Sequence, residues 1–324
     1  MVLAACHTHS PQNTTLSNPL FKTEADSFLR HMAPGLQDRQ TQAILKACEG
    51  NNAGLESVRN SRNTAPTISP NVATRMLTPT MRIYEPKSPH AGPMPVLIYL
   101  HGGGWTIGSI NSCGRFCNAV AQTGCAKVIA VDYRLSPEHR YPAPLDDCRA
   151  ALAYIVSHSA ELGINPARIT MGGDSSGGNL ALATALSSES RGLIESLVVF
   201  YPVTKAFNDS SASWKEYADG YALDGTIMEA FNRSYLGSHP ATDPLVSVGL
   251  APKHRLRHLP RTLLVAAQRD ILASQGQEFA ARAGDRLRRV EIEGAVHLFI
   301  TVAGQDEAFN QAVRLTTEFI DEGK

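Results

Sequence analysis

Residues 169–180 read ITMGGDSSGGNL and place Ser175 between an apolar run of β type and the apolar, helix-like run at 179–190. The segment GDSSG at 173–177 fits the pattern GxSxG. Between a strand and a helix this pattern is typical of a nucleophile elbow, a sharp turn that exposes a serine hydroxyl at a sheet edge. Small residues are needed there because the strand and the helix backbones lie close together. Helix capping by either serine is the simpler alternative.

Apolar runs of β type recur from about residue 73 onward, and helical patterns separate most of them. The runs are MPVLIYLH (94–101), AKVIAVDYR (126–134), RITMGGDS (168–175), LVVFYPV (197–203), RTLLVAAQRD (261–270) and RVEIEGAVH (289–297). Nearly continuous apolar strands that alternate with helices indicate a mostly parallel sheet with helices on both faces. The sequence therefore predicts an α/β fold whose ligands bind at the carboxyl edge of the sheet.

The predicted organisation has a tail, a cap and a catalytic domain. Residues 1–22 offer little to bury and are expected to be a flexible tail. Residues 23–72 are expected to form a cap with two short helices, and their Asn-, Ser- and Pro-rich part at 50–71 is expected to be a loop. Residues 73–324 are the predicted catalytic domain. Within it, the aromatic-rich insertion 204–260 is expected to contribute to the cap and the pocket.

Two further residues are candidates to activate the serine. A serine hydroxyl is a weak nucleophile near neutral pH and needs a general base, which in turn needs an orienting carboxylate. Around a nucleophile elbow these partners follow in the order serine, acid, histidine. His297 is the one histidine beyond Asp270, and both stand at the ends of β-type runs, whereas Asp224 and Asp243 do not. The sequence thus predicts the triad Ser175, Asp270 and His297.

The segment HGGGW at 101–105 follows the first β-type run and is a candidate oxyanion hole. Successive glycines let backbone N–H groups point toward a developing negative charge without side-chain clashes. We expect the N–H groups of Gly102, Gly103 and Ser176 to act as donors. A dinucleotide site is not expected, because this first strand–helix turn carries HGGG and not GxGxxG.

The composition of the chain limits which partners and which cellular location are expected. Thirty Lys and Arg balance 30 Asp and Glu, so nucleic-acid binding is not expected. No apolar run reaches the roughly 18 residues of a membrane-spanning helix. MVLAAC at 1–6 ends like a lipobox, but neither a basic nor an apolar signal region precedes it. A cytoplasmic protein is expected for the sequence as given; a lipoprotein anchored at Cys6 is the alternative if the natural start lies upstream.

The motifs HGGGW (101–105), DYRLSPEHRYPAPLDD (132–147) and GDSSGG (173–178) together resemble the hormone-sensitive-lipase-like family of α/β-hydrolases, and within it the bacterial acetyl esterase type. The resemblance extends over about residues 73–320. It implies an α/β-hydrolase fold with an N-terminal helical cap, a carboxylesterase activity, and no cofactor or metal. The acid motif DILASQG lacks a second acidic residue often present in the family, which leaves the support of the histidine open.

The resemblance also implies a small-molecule ester as partner, with acyl groups from acetyl to about hexanoyl. Trp105, Tyr133 and Leu298 are the expected pocket residues. A sugar deacetylase or an amidase with the same triad is the main alternative. A non-catalytic receptor on the same fold is a remote one, because His297 is present. Both a monomer and a homodimer are compatible with the sequence.

Overall fold

The computed structural model describes residues 13–323, whose strands form one nine-stranded sheet. The strands are β1 (Asn13–Leu16), β2 (Val72–Thr78), β3 (Met81–Pro86), β4 (Met94–Leu100), β5 (Lys127–Val131), β6 (Ile164–Asp174), β7 (Ser196–Phe200), β8 (Arg261–Arg269) and β9 (Leu287–Val296). Their order across the sheet is β1-β9-β8-β7-β6-β4-β5-β3-β2. The pairs β2–β3 and β3–β5 are antiparallel, and the other pairs are parallel.

Eleven α-helices lie among the described residues. They are α1 (Pro19–His31), α2 (Leu36–Cys48), α3 (Ala53–Ser61), α4 (Gly114–Gln122), α5 (Ala143–Ser157), α6 (Ser176–Leu186), α7 (Ala212–Tyr217), α8 (Gly225–Leu236), α9 (Lys253–Leu256), α10 (Ala273–Ala283) and α11 (Asp306–Asp321). The mostly parallel α/β sheet predicted from the sequence is confirmed, since the six predicted runs correspond to β4 through β9.

Both faces of the sheet are covered, as the continuous apolar runs require. All seven residues of β4 are buried. Successive side chains point to opposite faces of a strand, so Ile98 joins one hydrophobic core and Leu97 and Tyr99 join the other. The core around Ile98 includes side chains of α5, α6 and α10, whereas the core around Leu97 includes Phe116 of α4 and Phe309 of α11. The central strands are thereby fixed between two helical layers.

The structure corrects the predicted flexible tail over its second half. Residues Asn13–Leu16 are the edge strand β1, which pairs in parallel with β9. The Asn18 side chain then accepts a hydrogen bond from the Leu20 backbone N–H at 3.0 Å, and Pro19 begins α1. Backbone pairing, a helix cap and the burial of Phe21 together order this mostly polar stretch. Residues 1–12, including Cys6, lie outside the described residues.

The predicted loop at 50–71 contains a helix, α3, which buries Leu55. Asparagine and serine lower helix propensity only slightly, and here tertiary contacts decide the conformation. The insertion 204–260 holds α7, α8 and α9, and α8 packs against α2. Among residues 13–323, no helix is both long and apolar enough to span a bilayer.

Candidate active site

Ser175 occupies a strained turn between β6 and α6. Its φ and ψ are 54° and −117°, a conformation that a non-glycine residue adopts only when its surroundings impose it. A Cβ on Gly177 would lie 2.1 Å from the Leu100 carbonyl oxygen, and one on Gly173 would lie 2.5 Å from the same atom. The helix that follows the serine therefore lies directly against the end of β4. This crowding explains the glycines on both sides of the serine.

Asp270 and His297 meet because they follow two neighbouring parallel strands, β8 and β9. The Nδ1 atom of His297 lies 2.6 Å from Oδ2 of Asp270, and both side chains are buried. The second carboxylate oxygen accepts the Leu272 backbone N–H at 2.9 Å. The Asp270 carboxylate is thus fixed on one side by the backbone and orients the imidazole on the other.

Gln305, just before α11, fixes the loop that carries His297. Its amide nitrogen donates to the backbone oxygens of His297 at 3.0 Å and Val296 at 3.2 Å, and its Oε1 accepts the Val296 N–H at 3.0 Å. These contacts support the histidine where the sequence lacks a second acidic residue. Gln305 was not identified from the sequence. Its position as a polar residue directly before the next amphipathic helix could have indicated it.

Ser175 and His297 line the same cavity, which the predicted triad requires. No hydrogen bond joins the Ser175 hydroxyl to the imidazole within residues 13–323. In other enzymes such bonds are often long until a substrate is bound and then tighten. The structure thus brings together the three predicted residues, with the acid–histidine contact already formed.

The structure corrects one of the predicted oxyanion donors in the segment HGGGW (101–105), which we call the glycine loop. The backbone N–H of Gly102 donates to Oδ1 of Asp174 at 3.1 Å, so it is not available to a substrate. The N–H groups of Gly103, Gly104 and Ser176 make no hydrogen bond with any described residue. Gly103 and Gly104 line the cavity and have φ values of 114° and 59°. Gly104, the third glycine of HGGG, was missed because the sequence does not reveal which N–H groups the fold already uses.

Asp174 occupies the first variable position of the GxSxG pattern, and its carboxyl group is buried. It accepts hydrogen bonds from the Tyr99 hydroxyl at 3.0 Å and from the Gly102 N–H. Burial raises the pKa of Asp174 to about 6, although these donors and the nearby His297 act in the opposite direction. Asp174 therefore ties the glycine loop to the serine turn.

The cavity has a volume of about 360 Å³ and a mostly apolar lining. Helices α1, α2 and α8 form one wall, and the segment after His297 forms another. The apolar lining residues on these walls are Phe28, Met32, Leu36, Ile227, Phe231, Leu298 and Val302. Within residues 13–323, no group of three or more His, Cys, Asp or Glu side chains is placed to bind a metal ion.

Of the three expected pocket residues, Leu298 lines the cavity, whereas Trp105 and Tyr133 do not. The Trp105 ring is fully buried and stacks on Tyr235 with 4.3 Å between ring centroids. The Tyr133 hydroxyl donates to the backbone oxygen of His101 at 2.6 Å. The Trp105 ring thus packs against α8 and the Tyr133 hydroxyl binds the backbone of His101, so neither side chain faces the cavity.

Fold and site together define an α/β hydrolase with a serine at the strand–helix turn. The family model described as alpha/beta hydrolase fold matches residues 97–301. The chain belongs to the hormone-sensitive-lipase-like family of α/β hydrolases. This confirms the family resemblance found in the sequence.

Relatives in this family carry esterase names. The chain is 38% identical over 192 residues to carboxylesterase NlhH of Mycobacterium tuberculosis, covering 58% of this chain and 60% of that protein. It is 32% identical over 253 residues to ethyl acetate hydrolase of Pseudomonas putida, covering 75% and 78%. The match thus spans about 60% of the length of the mycobacterial relative.

Solved structures share the fold. An α/β hydrolase enzyme from the metagenome of Lake Arreo, solved as the Ser161Ala mutant LAE6, has a TM-score of 0.76 at 28% identity, covering 94% of this chain and 98% of that one. Carboxyl esterase 2 of the fungus Tuber melanosporum has a TM-score of 0.78 at 24% identity, covering 95% and 99%. The second likeness concerns the fold alone.

Proposed function

We propose that this chain is a serine carboxylesterase that acts through an acyl-enzyme intermediate. The observation that carries the proposal is the strained Ser175 turn, which shares one cavity with the His297–Asp270 pair at 2.6 Å. A serine held in a strained turn that lines the same cavity as an oriented imidazole is suited to nucleophilic attack. The carboxylesterase names of the relatives support the same reaction.

In the first half-reaction, His297 accepts the Ser175 proton while the serine oxygen attacks the ester carbonyl. The N–H groups of Gly103, Gly104 and Ser176 stabilise the oxyanion of the tetrahedral intermediate. The protonated imidazole then donates its proton to the leaving alcohol. Water attacks the acyl-enzyme in the second half-reaction with the same proton transfers, and the acid and the free serine are released. Asp270 keeps the imidazole in the correct tautomer throughout.

The proposed substrates are esters with acyl groups from acetyl to about hexanoyl. An apolar cavity of about 360 Å³ favours a small ligand, and one relative is named for the hydrolysis of ethyl acetate. In this proposal residues 23–72 and the insertion 204–260 act as the cap over the site. The cytoplasmic location and the absence of a cofactor stay predictions.

A series of para-nitrophenyl esters from acetate to dodecanoate tests the proposal. We expect the highest kcat/KM at or below hexanoate, and we expect Ser175→Ala to remove turnover. Ser188→Ala is the matched control, because it deletes an exposed hydroxyl away from the cavity. An organophosphonate that labels the wild type but not Ser175→Ala would support the acyl-enzyme. A maximum at dodecanoate would contradict the chain-length proposal, and an unchanged rate in Ser175→Ala would contradict the nucleophile.

A further inference from the structure

Arg62 is a cation that lines the catalytic cavity without a partner. It is the one lysine or arginine among the lining residues and forms no ion pair and no side-chain hydrogen bond with residues 13–323. Residues 1–12 contain neither aspartate nor glutamate, so they offer no carboxylate side chain. Arg62 lines the same cavity as Ser175, and the N–H donors of its guanidinium are unused, so they are available to a ligand.

The segment around Arg62 is held in place from both sides. Arg59 donates to the backbone oxygens of Thr106 at 2.9 Å and Ser136 at 2.8 Å, and it pairs with Glu138 at 2.8 Å. On the other side, Oδ1 of Asn63 accepts bonds of 2.8 Å from the side chains of Ser109 and Asn111. The backbone that presents Arg62 is thus anchored to residues that follow the glycine segment 101–105, which lowers the entropy cost of binding an anion.

Two charged groups, Arg62 and Asp174, set the electrostatics of the cavity, and burial strengthens the attraction of Arg62 for an anion. Asp174 is the one acidic residue in the lining, and its carboxylate already accepts bonds from Tyr99 and Gly102. Burial lowers the pKa of the Arg62 guanidinium, and the Asp174 carboxylate acts in the opposite direction. A partly desolvated guanidinium gains more from a bound anion than one in water.

Gln40 adds a second unused polar group to the lining. Its side chain is buried, lines the cavity, and makes no hydrogen bond with the described residues. Its neighbour in the helix, Gln37, by contrast accepts the Asp224 backbone N–H at 2.8 Å. Unpartnered polar groups in an otherwise apolar cavity point to a polar part of the ligand.

We propose that the substrate is an ester that carries a free carboxylate, which the guanidinium of Arg62 binds while Ser175 attacks the ester carbonyl. The inference rests on the proposed esterase function and names its substrate class. Carboxylate is favoured over phosphate because Asp174 already places one negative charge near Arg62, so a phosphate dianion would add more uncompensated charge than a carboxylate. The planar guanidinium also matches a carboxylate with two parallel hydrogen bonds.

The experiment compares carboxylate esters with neutral esters of the same shape. One pair has the charge on the acyl side: mono-para-nitrophenyl glutarate and its terminal amide. The other has it on the alcohol side: the acetate ester of gamma-hydroxybutyrate and that of the corresponding amide. The measured quantity is the ratio of kcat/KM for the acid to kcat/KM for the amide. We expect a ratio of about ten or more in the wild type for at least one pair, which identifies the side on which Arg62 acts.

Arg62→Met should lower that ratio by about ten- to a hundredfold, mainly through KM, because a charge-assisted bond is lost. Arg62→Lys keeps the charge but not the planar fork, so its ratio should be intermediate. Arg233→Met is the matched control: Arg233 is exposed on α8, does not line the cavity, and its loss changes the net charge equally. Its ratio should equal that of the wild type.

The outcomes separate the two proposals. If the wild type hydrolyses neither amide nor acid esters, the esterase proposal fails. If it hydrolyses the amide esters but prefers them to the acids in both pairs, the carboxylate proposal fails alone. A ratio that Arg62→Met leaves within about twofold of the wild type also overturns it. If Arg62→Met does not fold, as judged by circular dichroism, the wild-type ratio and Arg62→Lys decide.

Discussion

At the scale of single residues, the candidate catalytic side chains are positioned by contacts that the sequence only partly encodes. The GxSxG pattern and the strand-end positions of Asp270 and His297 were sufficient to predict which side chains meet. The unavailability of the Gly102 N–H could not be predicted, because it depends on the buried Asp174 carboxylate. The place of Arg62 in the cavity could not be predicted either, because its backbone is held by contacts with residues that are distant in the sequence.

Asp270→Asn should lower kcat/KM by about four orders of magnitude with little loss of folding stability. The amide has nearly the same shape, but it can donate to Nδ1 and then favours the tautomer that cannot accept the serine proton. Steady-state hydrolysis of para-nitrophenyl acetate measures the loss, and the far-ultraviolet circular dichroism spectrum checks the fold. A variant that keeps more than about a tenth of the wild-type rate would show that the 2.6 Å contact does not orient the base.

Gly177→Ala should destabilise the fold by about 1–3 kcal/mol or prevent folding, because its Cβ would lie 2.1 Å from the Leu100 backbone oxygen. Gly276→Ala is the matched control. Gly276 lies within α10, and the nearest atom to its added Cβ is 3.9 Å away, so this variant should gain up to about 1 kcal/mol. Urea unfolding measures both. Equal stability of the two variants would contradict the crowding at the serine turn.

At the scale of elements, the buried strands were predictable, whereas the edge strand β1 and the helix α3 were not. Strands β4 through β9 are continuous apolar runs because both faces of the sheet are covered, and such runs are recognisable in any sequence. The helix α3 and the edge strand β1 are short and polar. Their conformations depend on partners elsewhere, namely the Glu138 carboxylate for α3 and β9 for β1.

Arg59→Met should destabilise the protein by about 1–3 kcal/mol, because it leaves two backbone oxygens without their side-chain donor and Glu138 without its ion-pair partner. Arg75→Met is the control: Arg75 is mostly exposed and pairs with Glu85 at 3.5 Å, so its loss should cost less than about 1 kcal/mol. Urea unfolding measures the difference. If both variants lose equally little, the anchoring of α3 does not depend on Arg59.

At the scale of the whole molecule, the site is assembled at one edge of a sheet whose architecture could be read from the sequence. The parallel strands bring Ser175, Asp270 and His297 to one edge, as topology alone predicts. The cavity above that edge is lined by the consecutive helices α1 and α2 and by α8, which lies far from them in the chain. Its shape follows from how these helices pack, so the sequence predicted Trp105 and Tyr133 as lining residues and was wrong.

We expect the pH dependence of the free energy of unfolding to reflect the titration of Asp174. Its pKa is raised from the ordinary value to about 6 by burial, so between about pH 4 and pH 6 the folded state binds more protons than the unfolded state. The contribution of this group to stability therefore falls as the pH rises through that window, by about 3 kcal/mol in total. Asp174→Asn lacks this titration and can still accept the bonds from Tyr99 and Gly102. Its stability relative to the wild type should thus be higher at pH 7 than at pH 4, by about 2 kcal/mol or slightly more, because the unfolded carboxyl is already partly ionised at pH 4.

Urea unfolding of both proteins at pH 4 and pH 7 measures the effect, because the titration of groups that do not interact with Asp174 cancels in the difference between variant and wild type. Asp38→Asn, at an exposed position in the first turn of α2, is the control, and its difference should change by less than about 1 kcal/mol between the two pH values. A difference for Asp174→Asn that is equal at both pH values would mean that the carboxyl group at the serine turn titrates alike in the folded and unfolded chains. Asp174 would then tie the glycine loop to the elbow without the electrostatic cost that its burial implies.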